Sequence, residues 1–275
     1  MAVCSKSRPL QSTPKGISAG MNQLKPSVCI DAVFEGLAVD EAIQQVQAAG
    51  INAFEFWGWW DRDLKVLEAA RDQADLEVSA CCTKFISLVD PSARNQYLEG
   101  LEQSIQAARR LKCKTLISQV GDAIASISRD DQQASLVAGL REAASMLEAA
   151  GVTLVIEPLN DLIDHQGYYL VRSEEAFQII DQVDSPNIKV VFDIYHQQIS
   201  EGQLIANITS NIDKIAHFHA AGNPGRHELT RGELHYPSIF EAISATNYRG
   251  FVGLEYWPVG DALKGLREVA SWFGQ

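Results

Sequence analysis

The chain has 275 residues, 46% of them hydrophobic and 21% charged, enough apolar material for one large core and an ordinary charge content for a soluble protein. Against 35 Asp and Glu stand 23 Lys and Arg, a formal net charge of −12 that repels phosphate backbones and argues against a nucleic-acid partner. No apolar run approaches the length of a membrane span, so no membrane partner is expected either.

The first stretch, "MAVCSKSRPLQSTPKGISAGMNQL", is rich in Ser, Lys and Pro and contains no acidic residue. It lacks the apolar segment of a secretory signal. Residues 1–24 are therefore expected to form a flexible extension, and residues 25–275 a single catalytic domain. The five cysteines, Cys4, Cys29, Cys81, Cys82 and Cys113, include no C-x-x-C pair. An odd number scattered through apolar segments reads as reduced thiols, which predicts a cytoplasmic protein.

From about Lys25 onward, short β-branched or aromatic runs alternate with Ala/Leu/Gln/Glu-rich stretches of helical period. The predicted strands are Ser27–Ile30, Ala53–Trp57, Glu77–Cys82, Thr115–Val120, Thr153–Glu157, Lys189–Asp193, Ala216–His219 and Phe251–Tyr256. The predicted helices between them are Val39–Ala49, Asp61–Gln73, Ala93–Leu111, Gln132–Ala150, Ser173–Gln182, Leu204–Ile212, Tyr236–Ala245 and Asp261–Phe273. Gly50 and Gly151 follow Ala-rich runs, where a left-handed C-terminal cap is needed. Strict alternation forces parallel strands, and eight units are the number that closes a barrel. A doubly wound open sheet would want a Gly-rich loop after the first strand, and "VCIDAVFEGLAVD" has none. The expected fold is an α/β (β/α)8 barrel.

In such a barrel the C-terminal strand ends converge on one mouth. The polar residues there are Glu55 on strand two, Glu157 on strand five, Asp193 and His196 around strand six, His217 and His219 on strand seven, and Glu255 on strand eight. Glu157, Asp193, His219 and Glu255 hold equivalent places on four consecutive strands, at intervals of 36, 26 and 36 residues. Three carboxylates and an imidazole aimed at one centre repel one another unless a cation lies between them. An oxygen-rich set with one His suits Mg2+ or Mn2+, with Co2+, Fe2+ or Zn2+ as further options. His217 and His219 share a strand face, so one ligand suffices, and His219 lies nearer the mouth.

The segments "FDIYHQQISEG", "NPGRHELTRGELHYP" and "GFVGLEYWP", together with "VIEPLN" and "GYYLVRSEEA", resemble the hydroxypyruvate isomerase family, a branch of the xylose-isomerase-like TIM barrels. The match is specific over roughly Thr153 to Trp257 and looser before it, through "GINAFEFW". The resemblance implies a metal-dependent shift of a carbonyl and hydroxyl between neighbouring carbons of a small hydroxy-oxo acid, hydroxypyruvate to tartronate semialdehyde. It implies Glu157 and Glu255 as paired acid and base, and Glu157, Asp193, His219 and Glu255 as the metal set. Two positions depart from the family pattern: His219 replaces a Gln, and His235 in "GELHYP" replaces an Asn. His219 matches the related ketose 3-epimerases, which makes epimerisation of a free ketose the alternative activity. A phosphodiesterase like endonuclease IV fits less well, because it wants more metal ligands and a basic face. A barrel that binds a sugar acid without turnover is disfavoured by retention of both Glu157 and Glu255.

Four further residues are expected to contact substrate: Glu55, Trp57, His196 and Arg226. His196, just past its strand, suits a hydrogen bond to a substrate oxygen. Arg226 either holds a carboxylate with its fork of donors or forms a surface salt bridge with Glu228 or Glu233. The block Phe56-Trp57-Gly58-Trp59-Trp60 is costly to expose, so it walls the pocket or buries a contact in a homo-oligomer.

Overall fold

The computed structural model describes residues 23–274. Eight strands close into a barrel, each hydrogen-bonded in parallel to its sequence neighbour and β1 to β8. They are β1 (Lys25–Cys29), β2 (Ala53–Phe56), β3 (Glu77–Cys82), β4 (Thr115–Ser118), β5 (Thr153–Ile156), β6 (Ile188–Asp193), β7 (Ile215–Ala220) and β8 (Phe251–Leu254). Around them run α1 (Ile30–Val33), α2 (Val39–Ala48), α3 (Leu64–Ala74), α4 (Arg94–Arg110), α5 (Arg129–Ala150), α6 (Ser173–Val183), α7 (Ile194–Ser200), α8 (Leu204–Ser210), α9 (Tyr236–Ser244) and α10 (Ala262–Ala270). The expected extension lies outside the described residues as far as residue 22, and Leu24 is already buried in the core. None of the described helices is long and apolar enough to cross a membrane. The four described cysteines are buried and unpaired; Cys4 lies outside the described residues.

Local chemistry sets several boundaries. The Asp63 and Asp261 carboxylates accept backbone N–H groups at the starts of α3 and α10, and the Ser128 hydroxyl does so for α5. Gly151 ends α5 at φ 65°, as expected of a left-handed cap. Two short helices were not predicted. Residues 30–33 and 194–200 follow directly on β1 and β6, and only Ile30 falls within a predicted strand. Asp193 explains the second: its Oδ1 accepts the N–H groups of Tyr195 and His196 at 2.8 and 3.1 Å, capping α7.

Period-two alternation divides the apolar residues into two bodies. Leu154, Ile156, Val190, Phe192 and Phe218 belong to the large core between sheet and helices. Ala80, Cys82, Ile117, Val155 and Val191 form a separate small cluster, which is the packed interior of the barrel. Pairing of Val191 with His217 and of Asp193 with His219 puts both histidines on that interior face. The barrel is thus apolar on its β3–β6 side and polar towards β7, β8, β1 and β2.

Two buried tyrosines fasten the strand ends where the mouth is built. The Tyr168 hydroxyl accepts the Val120 N–H at 2.7 Å and donates to the Glu157 carbonyl at 3.1 Å, tying the end of β4 to the end of β5. The Tyr236 hydroxyl accepts the Ala221 N–H at 2.9 Å and donates to the Ala221 carbonyl at 2.6 Å. Tyr168→Phe strands two buried backbone groups at roughly 1–3 kcal/mol each, so urea unfolding should show a loss of about 2–4 kcal/mol with an unchanged m-value.

Candidate metal centre and substrate cavity

Glu157 stands one residue past β5, Asp193 ends β6, His219 lies in the last turn of alternation of β7, and Glu255 stands one residue past β8. Each offers one ligand atom, and the four atoms lie within 4.8 Å of one another. His219 Nδ1 is central: it lies 3.0 Å from Glu157 Oε1, 3.1 Å from Glu255 Oε2 and 4.0 Å from Asp193 Oδ2. All four side chains are buried. Because Asp193 spends Oδ1 on the α7 cap, only Oδ2 faces this centre.

The charges are strongly coupled. Burial works against a charged His219 ring, yet Glu255 and Glu55 beside it hold its pKa well above the ordinary imidazole value. Burial would raise the Glu255 carboxyl, but Arg226 and His219 pull it well below the usual carboxylate range. For Asp193 burial wins over the same two cations, and its carboxyl is raised. Arg226 donates to Asp193 Oδ2 at 3.1 Å and to Glu255 Oε2, so its partners are site carboxylates rather than Glu228 or Glu233. Three carboxylate oxygens and one imidazole nitrogen, held at rigid strand ends, are a donor set that fits a hard divalent cation.

Above the four residues opens a cavity of about 360 Å³. Its walls include Trp57, Phe85, Ile117, Leu159, His165 and Trp257. The Trp57 indole donates to Glu255 Oε1 at 2.6 Å, and its backbone N–H donates to Asp31 at 2.7 Å, so the ring is pinned at both ends. Arg226 lies 5.3 and 5.5 Å from the Tyr195 and Trp257 ring centres, in cation–π range of both. It also sits at φ 56°, directly after Gly225 at φ 93°, which turns the loop back over the mouth. Trp59 instead donates to Ser104 at 3.2 Å, and Trp60 packs edge-on to Phe85.

His196 is buried in the same wall. Its Nδ1 receives the Asn160 side-chain amide at 2.7 Å and the Asn160 backbone N–H at 3.2 Å. Two donors at Nδ1 place the ring hydrogen on Nε2, which is buried without a hydrogen-bond partner among the described residues. Burial and the Arg226 charge depress the ring pKa to about 3. His196 is thus a neutral donor rather than a proton shuttle. Arg226 Nε is a second buried donor without a partner.

Of the residues picked out in the sequence, Glu157, Asp193, His219, Glu255, Trp57, His196 and Arg226 converge on the cavity. Glu55 does not. It sits one layer lower, beneath His219, with Oε2 bound by Ser79 and His217 at 3.0 and 2.9 Å. Expected to contact substrate, Glu55 is not among the cavity's lining residues: it pairs with Cys29 inside the sheet instead of projecting past it. Burial would raise its carboxyl, but His217 and His219 bring it down to about 2. Sequence reading missed Asn160, Asp164, His165 and Trp257. A signal was present for the last, two residues beyond Glu255 on the same alternation, and for "NDLIDHQ", the loop that follows β5.

The model of the xylose isomerase-like TIM barrel family matches residues 43–275. The chain is 38% identical over 233 residues to the hydroxypyruvate isomerase of Escherichia coli strain K12, covering 82% of this chain and 90% of that one. The chain belongs to the hydroxypyruvate isomerase family. It is therefore an isomerase on a xylose isomerase-like barrel. Within reach of the same family, it is 38% identical over 143 residues to the 2-oxo-tetronate isomerase of Cupriavidus necator, covering 52% of this chain and 55% of that one. A crystal structure of AP endonuclease, family 2 from Brucella melitensis superposes with a TM-score of 0.85 at 28% identity, over 90% of this chain and 98% of that one.

With a folded pKa near 3 against about 6.5 for a free imidazole, His196 stays neutral where the unfolded chain takes up a proton. Its contribution to stability is fully present above about pH 6.5 and falls as the pH drops below that. Histidine NMR should show the His196 ring unprotonated at Nδ1 and invariant between about pH 5 and 8.

Proposed function

We propose that the chain is a metal-dependent isomerase that converts hydroxypyruvate to tartronate semialdehyde through an enediolate, with Glu157 and Glu255 as paired acid and base. The observation that carries this reading is the buried quartet Glu157, Asp193, His219 and Glu255, with ligand atoms within 4.8 Å at the floor of the cavity. The hydroxypyruvate isomerase of Escherichia coli and the 2-oxo-tetronate isomerase of Cupriavidus necator support a small sugar acid as substrate.

The quartet would hold a divalent ion, Mg2+ or Mn2+ by its donors, with Co2+, Fe2+ or Zn2+ as alternatives. When bound, such an ion supplies electrophilic stabilisation of the negative charge that develops on the substrate's neighbouring oxygens. The chain's own residues do the rest. One glutamate takes the proton from C3 of hydroxypyruvate, and a proton is returned to C2, while the hydroxyl proton on O3 passes to O2. The carbonyl thereby moves from C2 to C3 with no net gain or loss of atoms. The Glu255 carboxyl, held below the usual range, is ionised and ready to accept a proton. His196 Nε2–H donates to a substrate oxygen, and Arg226 offers its free Nε–H to the substrate carboxylate. Trp57 and Trp257, 6.2 Å apart between ring centres, wall the cavity and exclude water beside the reacting carbons.

With Mn2+ or Mg2+ supplied, the purified protein should isomerise hydroxypyruvate and lose that activity on chelation by EDTA. Glu157→Gln and Glu255→Gln should each lower kcat by about 10²–10⁴-fold. Full activity in Glu157→Gln would remove the acid–base assignment. Turnover of 2-oxo-tetronate in place of hydroxypyruvate would move the substrate one carbon longer. Epimerisation of free fructose or tagatose without any action on hydroxypyruvate would establish the ketose alternative, and cleavage of DNA would replace the isomerase reading.

A further inference from the structure

Beneath the quartet lies a second buried polar layer that the reaction above does not use. Glu55 is 2% exposed and divides its two oxygens unequally. Oε2 accepts from Ser79 at 3.0 Å and meets His217 Nε2 at 2.9 Å. Ser79 is itself in contact with Ser27 at 2.5 Å. Oε1 is turned upward and lies 3.1 Å from His219 Nε2. Oε1 and that Nε2 face each other as an ion-pair contact, and neither has a hydrogen-bond partner among the described residues.

The fold makes room for this contact. His219 pairs with Gly253 across β7 and β8. A Cβ on Gly253 would stand 2.1 Å from Glu55 Oε1, far inside any allowed contact. Only a residue without a side chain lets the carboxylate come under the His219 ring. A buried Glu55–His217 pair explains Oε2 but not the aim of Oε1. Nor is such a pair a strong source of stability, since apolar residues such as Ala80, Val155 and Val191 fill the rest of the same interior.

His219 therefore stands between two sets of carboxylates, Glu55 at Nε2 and the quartet at Nδ1. An imidazole ligates through a nitrogen that has lost its hydrogen, and the other nitrogen keeps one. An ionised carboxylate only accepts, so its place beside Nε2 keeps a hydrogen there, and a divalent ion in the quartet would take the place of the hydrogen that Nδ1 carries beside Glu157 and Glu255 without it. We propose that Glu55, held by His217 and Ser79, is a positioning residue that keeps the hydrogen of His219 on Nε2 and turns Nδ1 to Glu157, Asp193 and Glu255. This inference rests on the metal reading given under Proposed function. It assigns Glu55 an effect on metal affinity through His219, with no contact to substrate.

The test measures Mn2+ binding by calorimetry and the His219 ring by nitrogen-15 NMR with Mg2+ present. In the wild type, His219 should carry its hydrogen on Nε2, with Nδ1 bare. Glu55→Gln should raise the Mn2+ Kd by about 10–100-fold and leave a mixture of ring tautomers. In a His219→Ala background there is no ring to position, so adding Glu55→Gln should leave the Kd unchanged. Ser79→Ala, a milder change to the same support, should weaken Mn2+ binding in the same direction by less. An unaltered Kd in Glu55→Gln, or an equal loss in the His219→Ala background, overturns the inference while leaving the metal reading intact. So does a wild-type His219 with its hydrogen on Nδ1. If Glu55→Gln does not fold, the wild-type NMR and Ser79→Ala decide the matter. A wild type that binds no Mn2+ sinks the metal reading, and this inference with it.

Discussion

Repulsion among three buried carboxylates at one end of a closed barrel is the constraint on which the rest of the molecule turns. Taking even one carboxylate out of water costs several kcal/mol unless a counter-charge and hydrogen bonds compensate. Glu157, Asp193 and Glu255 are all nearly inaccessible and all within reach of His219. Two cationic side chains answer them from the protein itself: His219 from the centre and Arg226 from the rim. The barrel's polar pole is therefore an electrostatic assembly, and the loops above it are shaped by the need to deliver Arg226. The left-handed turn at Gly225 and Arg226 and the double hydrogen bond of Tyr236 to Ala221 both serve that delivery.

The remaining polar groups at the mouth are arranged so as not to add to this charge. His196 could have been a third cation, but Asn160 occupies its Nδ1 and burial keeps the ring neutral. It can therefore present a hydrogen without competing for the carboxylates. Trp57 does the same with an indole N–H, which donates but cannot ionise. Neutral donors and an apolar wall are what a site needs if its fixed charges are to act on a reacting centre instead of on one another.

The fold was legible because the barrel repeats one pattern eight times, and each strand is announced by an apolar run between stretches of helical period. The quartet was legible for the same reason: equal position along successive strands is a property of sequence spacing. What spacing does not carry is height along the barrel axis. Glu55 follows an apolar run much as Glu157 does, yet it lies inside β2, while Glu157 lies past the end of β5. The pairing of Cys29 with Glu55 and the irregular register between β2 and β3 set that height, and neither is written in local periodicity. Partner choice was equally hidden for Arg226. The nearest acids in sequence are Glu228 and Glu233, but the turn at Arg226 points the guanidinium away from them and toward strand ends 29 and 33 residues distant. The helix from Ile194 to Ser200 escaped notice because its cap, Asp193, was already accounted for as a site residue.

One nonapeptide shows how closely the two polar layers are tied. In "GFVGLEYWP", Gly253 and Glu255 are two residues apart and so face the same interior. Glu255 places a carboxylate in the upper layer, and Gly253 leaves the space into which Glu55 rises from the lower one. His219, paired with Gly253, reaches both. A side chain at 253 would push Glu55 out from under His219, and a neutral residue at 255 would leave Arg226 with Asp193 alone among its two site partners. The glycine is thus as much a part of the site as the glutamate, although it offers no functional group. In a barrel whose interior is packed to the backbone, the absence of a side chain is what allows a charge one layer down to act on the ring above it.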